Sequence, residues 1–375
     1  MLFEIEKTIL RDALNKCVPI SNNKSTLPIL SHVLMHTRED GLVLTATDLE
    51  IGVQILCRDW TCNDPGTACV PGKKFLEIVR ELPSGLITAE LTDSSRLKLT
   101  AGSSVFELAT QPADDYPAWS NFEGVQFAEV SAIALEYMIE LCDYAVSTSD
   151  ARFNLNGMLM DPLEGSVRFV ATDGHRLAYA EHALNLGIDR KRVLPFKGVQ
   201  EIKKHLSTCK DNALVQVGFD DKNCVVKSNG SILSARLVDG DYPDYRKVIP
   251  ARESITEITA NRLNLLQSVK RVSVVVSDKA PSVNFWIQAN NINVSCTHPD
   301  LGSAKDQIGA DYSGEDLNFV LNGHYLVEAL NVMESEDVTI EWIKEGAPIF
   351  LKPGDTTEEW KKEFGQLHLI MPMRK

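Results

Sequence analysis

The chain repeats itself. Leu42-Val43-Leu44-Thr45-Ala46-Thr47-Asp48 has a counterpart in Val167-Arg168-Phe169-Val170-Ala171-Thr172-Asp173, and the two Thr-Asp pairs are 125 residues apart. A further step of 125 lands on Thr297, in Ile292-Asn293-Val294-Ser295-Cys296-Thr297-His298. The same offset pairs Leu10, Leu14 and Cys17 with Leu135, Ile139 and Cys142, and Leu30, Leu34 and Met35 with Leu155, Leu159 and Met160. Three such periods make the full length of 375. A fixed period means one unit copied and joined to its neighbours, so three domains are expected: 1–125, 126–252 and 253–375. The third copy is the most diverged, with its first helix, near Asn261 to Val269, displaced by a few residues.

Each copy reads alike. A helix with apolar residues at i, i+4 and i+7 (Leu10, Leu14, Cys17) comes first, and alternating segments such as Ser166 to Ala180 follow as strands. A second helix is expected over Lys73–Leu82, Gly198–Leu206 and Gly323–Val332, and strands close each unit over 97–111, 224–238 and 338–351. Strands arriving as hairpins rather than alternating with helices specify an α+β fold with antiparallel sheets. The segment Lys352–Gln366, with Pro353-Gly354-Asp355 and the charged run Glu358–Glu363, reads as a solvated loop.

Composition narrows the class. With 44% hydrophobic and 24% charged residues the chain is an ordinary globular protein. No apolar run approaches a membrane span, and Met1–Lys7 lacks the apolar core of a signal peptide, so the expected location is cytoplasmic. The eight cysteines form no C-x-x-C pair and are expected as reduced thiols.

Catalytic motifs are absent. The sequence has no Walker loop, dinucleotide fingerprint, nucleophile elbow or H-E-x-x-H. The most suggestive string is Thr172-Asp173-Gly174-His175-Arg176, which would suit a phosphate- or metal-dependent enzyme using Asp173 and His175. The cognate Thr47-Asp48-Leu49-Glu50 keeps the Thr-Asp and lacks the His, which favours a turn role for the aspartate. No catalytic residue, metal or cofactor is therefore expected; the other alternative is a repeat scaffold that binds peptides but not DNA.

Net charge is −14, which argues against an ordinary nucleic-acid binder. The helices nevertheless collect cations: Lys7, Arg11 and Lys16; Lys73, Lys74 and Arg80; Lys197, Lys203 and Lys204; Arg262, Lys270 and Arg271. A basic helical face opposite an acidic sheet face would hold a phosphate backbone without reading bases.

Several strings then resemble one family. Thr26-Leu27-Pro28-Ile29-Leu30, Leu155-Asn156-Gly157-Met158-Leu159, Ala171–Ala178, Asp241-Tyr242-Pro243-Asp244-Tyr245-Arg246 and the terminal Met371-Pro372-Met373-Arg374 resemble the bacterial DNA sliding clamp, the beta subunit of the replicative polymerase. The resemblance implies three copies of one α+β domain per chain, two chains in a head-to-tail homodimer that closes a ring, and a non-catalytic processivity factor. It implies encircled duplex DNA, the polymerase catalytic subunit, a clamp loader, and other polymerases and repair proteins bound through short linear motifs.

Carried over by position, the partner-peptide groove would comprise Leu155, Thr172, Gly174, His175, Arg176, Leu177, Pro243, Lys247, Val248, Asn322, Tyr325, Leu369, Ile370, Met371, Pro372, Met373 and Arg374. Its methionines would give an adaptable apolar lining, and His175 and Arg176 would be polar anchors at the rim. DNA contacts are expected from Lys24, in the loop Ser21–Ser25, and from Arg80, Arg152, Lys197, Lys203 and Lys204. Three departures bear on partner preference: Lys247 where the family often has Arg, a terminal Lys375, and the Lys352–Gln366 loop, expected close to the groove's C-terminal wall.

Overall fold

The computed structural model describes residues 1–21, 26–120, 122–148, 155–210, 212–249, 255–275, 281–356 and 358–373. The first repeat runs β1 (Leu2–Glu6), α1 (Lys7–Cys17), β2 (His32–Arg38), β3 (Gly41–Thr47), β4 (Ile51–Cys57), β5 (Trp60–Asp64), β6 (Thr67–Pro71), α2 (Gly72–Glu81), β7 (Leu86–Leu91), β8 (Arg96–Ala101) and β9 (Ser104–Ala109). The second runs β10 (Phe127–Ser131), α3 (Ala132–Asp143), β11 (Gly157–Leu163), β12 (Ser166–Thr172), β13 (Arg176–His182), β14 (Arg192–Pro195), α4 (Phe196–Leu206), β15 (Leu214–Phe219), β16 (Asn223–Ser228) and β17 (Ser231–Arg236). The third runs β18 (Thr256–Asn261), α5 (Arg262–Ser273), β19 (Ser282–Gln288), β20 (Asn291–His298), β21 (Gly302–Gly309), β22 (Leu317–Asn322), α6 (Gly323–Val332), β23 (Asp337–Trp342), β24 (Ile349–Pro353) and β25 (Gly365–Ile370). This is the expected α+β architecture with antiparallel hairpins.

Local chemistry explains the boundaries. Leu10, Ala13, Leu14 and Cys17 form the buried stripe of α1. Asn261 and Asn322 cap α5 and α6, accepting from the backbone N–H of Asn264 (3.1 Å) and His324 (2.9 Å). The helices pack in pairs, α1 with α2, α3 with α4 and α5 with α6.

The sheets do not stop at repeat boundaries. One compact unit, Met1–Val130 with Ala213–Leu237, holds a five-stranded sheet (β5-β1-β7-β8-β9) and an eight-stranded one (β10-β15-β16-β17-β4-β3-β2-β6). The other, Ser131–Asn212 with Val238–Lys375, holds an eight-stranded sheet (β14-β11-β12-β13-β25-β24-β23-β18) and a four-stranded one (β21-β20-β19-β22). Each eight-stranded sheet joins strands of two successive repeats.

The 352–366 segment departs from the solvated loop expected of it. Glu359–Glu363 form a 3-10 turn that buries Phe364. The Phe364 ring lies edge-on to Tyr137 of α3 (5.1 Å) and stacks on His182 at the far end of β13 (4.0 Å). Lys361 is buried between Glu334 and Glu358. Two aromatic contacts outweigh the charged run that suggested exposure. His182 is six residues along the strand from Arg176, roughly 20 Å at strand rise, so the segment does not wall the expected groove.

Candidate functional site

The turn between β12 and β13 is built by its own side chains. Asp173 Oδ1 accepts from the backbone N–H of His175 (2.8 Å) and Arg176 (3.0 Å), and Thr172 Oγ1 donates to the Arg176 carbonyl (2.6 Å). Gly174 takes φ +86°. The first repeat has the same turn: Asp48 Oδ1 accepts from Glu50 (3.0 Å) and Ile51 (2.7 Å), Thr47 Oγ1 donates to Ile51 (2.9 Å), and Leu49 takes φ +78°. The repeated Thr-Asp is a turn device. Asp173 Oδ2 is taken by Arg176 Nε at 3.1 Å, leaving the carboxylate fully engaged. Among the described residues no group of three His, Cys, Asp or Glu side chains is arranged to hold a metal ion.

The last strand completes the site. β25 lies beside β13 with Arg176 opposite Ile370 and Leu177 opposite Leu369. Successive strand residues face opposite sides, and this divides the expected set. Leu177 and Leu369 join Leu159, Val170 and Phe350 in an apolar cluster on one face, packed by Tyr242 and Tyr245. Ile370 points the other way, into the core beneath α5 and α6, so it does not line the groove.

Arg176 also differs from expectation. It is only 8% exposed, not a rim anchor. Its guanidinium pairs with Asp173 and Glu328, donates to the Tyr144 carbonyl, and lies 4.4 Å from the Tyr325 ring centroid. It contributes, with His175, Tyr144, Tyr325 and Glu328, to a cavity of about 610 Å³. Asn322 is the cap of α6, one turn before Tyr325.

The segment after β17 packs on the same apolar cluster through Val238, Tyr242, Tyr245 and Ile249. A 3-10 turn, Tyr245–Val248, leaves Val248 44% exposed beside exposed Pro243 and Lys247. Residues that sequence reasoning missed hold it in place. Asp161, buried in β11, accepts from Tyr245 Oη (2.8 Å) and Arg246 Nη2 (2.8 Å). Its signal was a lone acid inside an otherwise apolar strand. Buried Leu155 accepts through its carbonyl from the Ser147 N–H (3.2 Å). The terminal segment is tied down by its backbone: Met371 N–H donates to the His175 carbonyl and Met373 N–H to that of Val320, both at 2.8 Å. Met371 is 38% exposed and Pro372 and Met373 are half-buried. Arg374 lies outside the described residues.

The expected DNA contacts are dispersed. Lys24 and Arg152 lie outside the described residues. Arg80, on α2, donates to Asn15 Oδ1 at 2.7 Å. Lys197, Lys203 and Lys204 lie on α4, Lys204 exposed. Lys203 is bound to Asp143 (3.0 Å) and Glu140 (3.4 Å) of α3. Burial opposes its charge, but these carboxylates raise its pKa overall. α3 itself carries Glu136, Glu140 and Asp143 and no Lys or Arg, and α6 carries Glu328 and no Lys or Arg, so these two helices do not share the basic character of α1, α2, α4 and α5.

Paired helices on antiparallel sheets, two of which each join successive repeats, with an apolar cluster beside the last strand, define the sliding-clamp class. Residues 1–120, 129–244 and 246–374 match the N-terminal, central and C-terminal domains of the DNA polymerase III beta subunit. The chain is 29% identical to the beta sliding clamp of Vibrio cholerae over the full length of both, and 30% identical to that of Haemophilus influenzae over 90% of this chain and 92% of the relative. The fold superposes on the DNA polymerase sliding clamp of Bacillus subtilis with a TM-score of 0.92 at 27% identity, covering 100% of this chain and 99% of that one. It superposes equally, at 0.92 and 27% over all of both chains, on a sliding clamp of Bartonella birtlesii bound to griselimycin. The chain belongs to the DNA polymerase III beta subunit family.

Proposed function

We propose that two copies of this chain close head to tail around duplex DNA and tether the replicative polymerase to it, with no catalysis of their own. What supports this reading is the match of residues 1–120, 129–244 and 246–374 to the three domains of the DNA polymerase III beta subunit, with Val248 and Met371 exposed in the two stretches that the resemblance assigns to the groove. A flexible, methionine-edged groove suits short linear motifs presented by many partners, here the polymerase catalytic subunit, a clamp loader, and other polymerases and repair proteins.

Ring closure has candidate edges. β9 ends the five-stranded sheet with Val105 54% and Phe106 39% exposed, and β21 ends the four-stranded sheet. An open edge invites pairing with another chain, so β9 of one copy would meet β21 of the other. The repeats 1–125, 126–252 and 253–375 would then be six similar units around one hole. Lys204, with Arg80, Lys197 and Lys203, would make weak, sequence-blind phosphate contacts that permit sliding. No helix among the described residues is long and apolar enough to cross a membrane, in keeping with a cytoplasmic role.

Retention on DNA tests the ring. Protein loaded on circular duplex should stay bound in high salt and be lost when the circle is linearised. A solution mass near twice 41.6 kDa should accompany it. A monomer at micromolar concentration, or equal retention on linear DNA, would overturn the proposal.

A further inference from the structure

One buried acid in the second unit is committed to a single turn. Asp161, in β11, is 2% exposed. Its cross-strand neighbour Arg168 is held by Glu181, which leaves the Asp161 carboxylate to other partners. Asp161 Oδ2 accepts from Tyr245 Oη and from Arg246 Nη2, both at 2.8 Å, and Lys191 Nζ lies 4.0 Å away. Arg168 meets this group through the Tyr245 hydroxyl, to which it donates at 3.3 Å. A buried carboxylate persists only where such partners satisfy its charge.

The turn itself closes locally. Lys247 N–H donates to the Asp244 carbonyl (3.2 Å), Ile249 N–H to that of Arg246 (3.3 Å), and Lys247 Nζ pairs with Asp244 at 3.8 Å. These bonds shape the turn without placing it on the sheet. Placement falls to the packing of Tyr245 and Ile249 and to the Asp161 clasp. Apolar packing is non-directional, so the two directional bonds to Asp161 decide where the turn, and exposed Val248 on it, comes to rest. The first repeat builds the same unit without the clasp. Asp115-Tyr116-Pro117 matches Asp241-Tyr242-Pro243, and in that alignment Trp119 and Ser120 stand for Tyr245 and Arg246. The offset of 125 puts His36, an exposed residue, where Asp161 is. The clasp is therefore not what makes the unit fold.

We propose that Asp161 is a positioning residue for the partner groove: through Tyr245 and Arg246 it fixes where Val248 stands, and so sets the affinity for partner motifs. The inference rests on the groove reading of Pro243, Lys247 and Val248. Asp161 is too deeply buried to touch a partner, whereas the Arg246 side chain is 52% exposed. An effect of Asp161 on binding must therefore pass through the turn.

The test is surface plasmon resonance of the full chain with the purified polymerase catalytic subunit, joined to hydrogen–deuterium exchange on the free protein. Val248→Asp, at an exposed position, reports on the groove itself and should weaken binding at least about tenfold. Asp161→Asn keeps the shape and an acceptor for Tyr245 but removes the charge that Arg246 pairs with, and should weaken binding about tenfold. Arg246→Met should do the same and Arg246→Lys less, and the double variant Asp161→Asn with Arg246→Met should bind no more weakly than either alone. Amide exchange in Asp161→Asn should rise across 242–249 and not elsewhere. Should Asp161→Asn fail to fold, the comparison of Arg246→Met with Arg246→Lys carries the test, with the same local rise in exchange expected of the Met variant. No binding by the wild type, or binding untouched by Val248→Asp, would overturn the groove reading and this inference with it. With Val248→Asp impaired, full affinity in the Asp161 and Arg246 variants, additive losses in the double variant, or exchange that rises throughout the unit would each overturn the role of Asp161 alone.

Discussion

Tyr144 Oη lies 2.8 Å from Nδ1 of His368, and this hydrogen bond links the end of α3 to the last strand. The ring's Nε2 is 3.1 Å from Gln366 Oε1, so a neutral His368 with its proton on Nε2 satisfies both partners. His368 is fully buried, and burial pushes its pKa down to about 3.

The sign of the resulting pH dependence follows. Below the ordinary histidine pKa the unfolded chain binds a proton that the folded chain refuses, so stability falls as pH drops from about 6.5 towards 3. By pH 4.5 the loss should reach roughly 2.5 kcal/mol. Urea midpoints for the wild type and His368→Gln, compared at pH 7 and 4.5, measure it. A variant with the same acid slope as the wild type would assign the dependence to other groups.

Arg176 should matter to stability more than to the rim of the groove. Arg176→Met strands Asp173 and partly exposed Glu328 and removes the guanidinium from the Tyr144 carbonyl. A cost of about 2–4 kcal/mol is expected. Chemical denaturation reads it directly; a change under about 0.5 kcal/mol would mean the network is replaceable by water.

Removing Met371–Lys375 should abolish binding of a partner peptide while the fold holds. The segment is joined by backbone hydrogen bonds at Met371 and Met373, and β25 itself remains. Loss of this wall is expected to cost about 2–4 kcal/mol of binding, enough to take a micromolar complex out of range. Unchanged peptide affinity in the truncated, folded protein would mean that the groove lies elsewhere.

Phe364→Ala should destabilise the protein by about 3 kcal/mol, because the ring is buried against Tyr137 and His182. Trp360→Ala, at a half-buried position, should cost about 1–2 kcal/mol. If thermal unfolding cannot tell either variant from the wild type, the 352–366 segment is a solvated loop after all.

Much of this was legible in one dimension because its causes are local. The offset of 125 made the three copies visible, and helical spacing at Leu10, Leu14 and Cys17 marked a buried stripe that the structure contains. Comparing Asp48 with Asp173 identified a turn-former, since an aspartate that bonds the N–H groups two and three residues on needs only its own segment.

What the tertiary structure decided turns on partners distant in sequence. Leu369 and Ile370 are neighbours of the same chemical type, yet strand alternation sends one into the apolar cluster with Leu177 and the other into the core beneath α5 and α6. Arg176 looks like a free anchor until Glu328, 152 residues away, takes its charge. The run Glu358–Glu363 reads as solvated until Tyr137 and His182 give Phe364 somewhere to go. Composition records the charges and apolar groups a chain carries; only the folded strands determine which of them meet, and so which are neutralised, buried or left for a ligand.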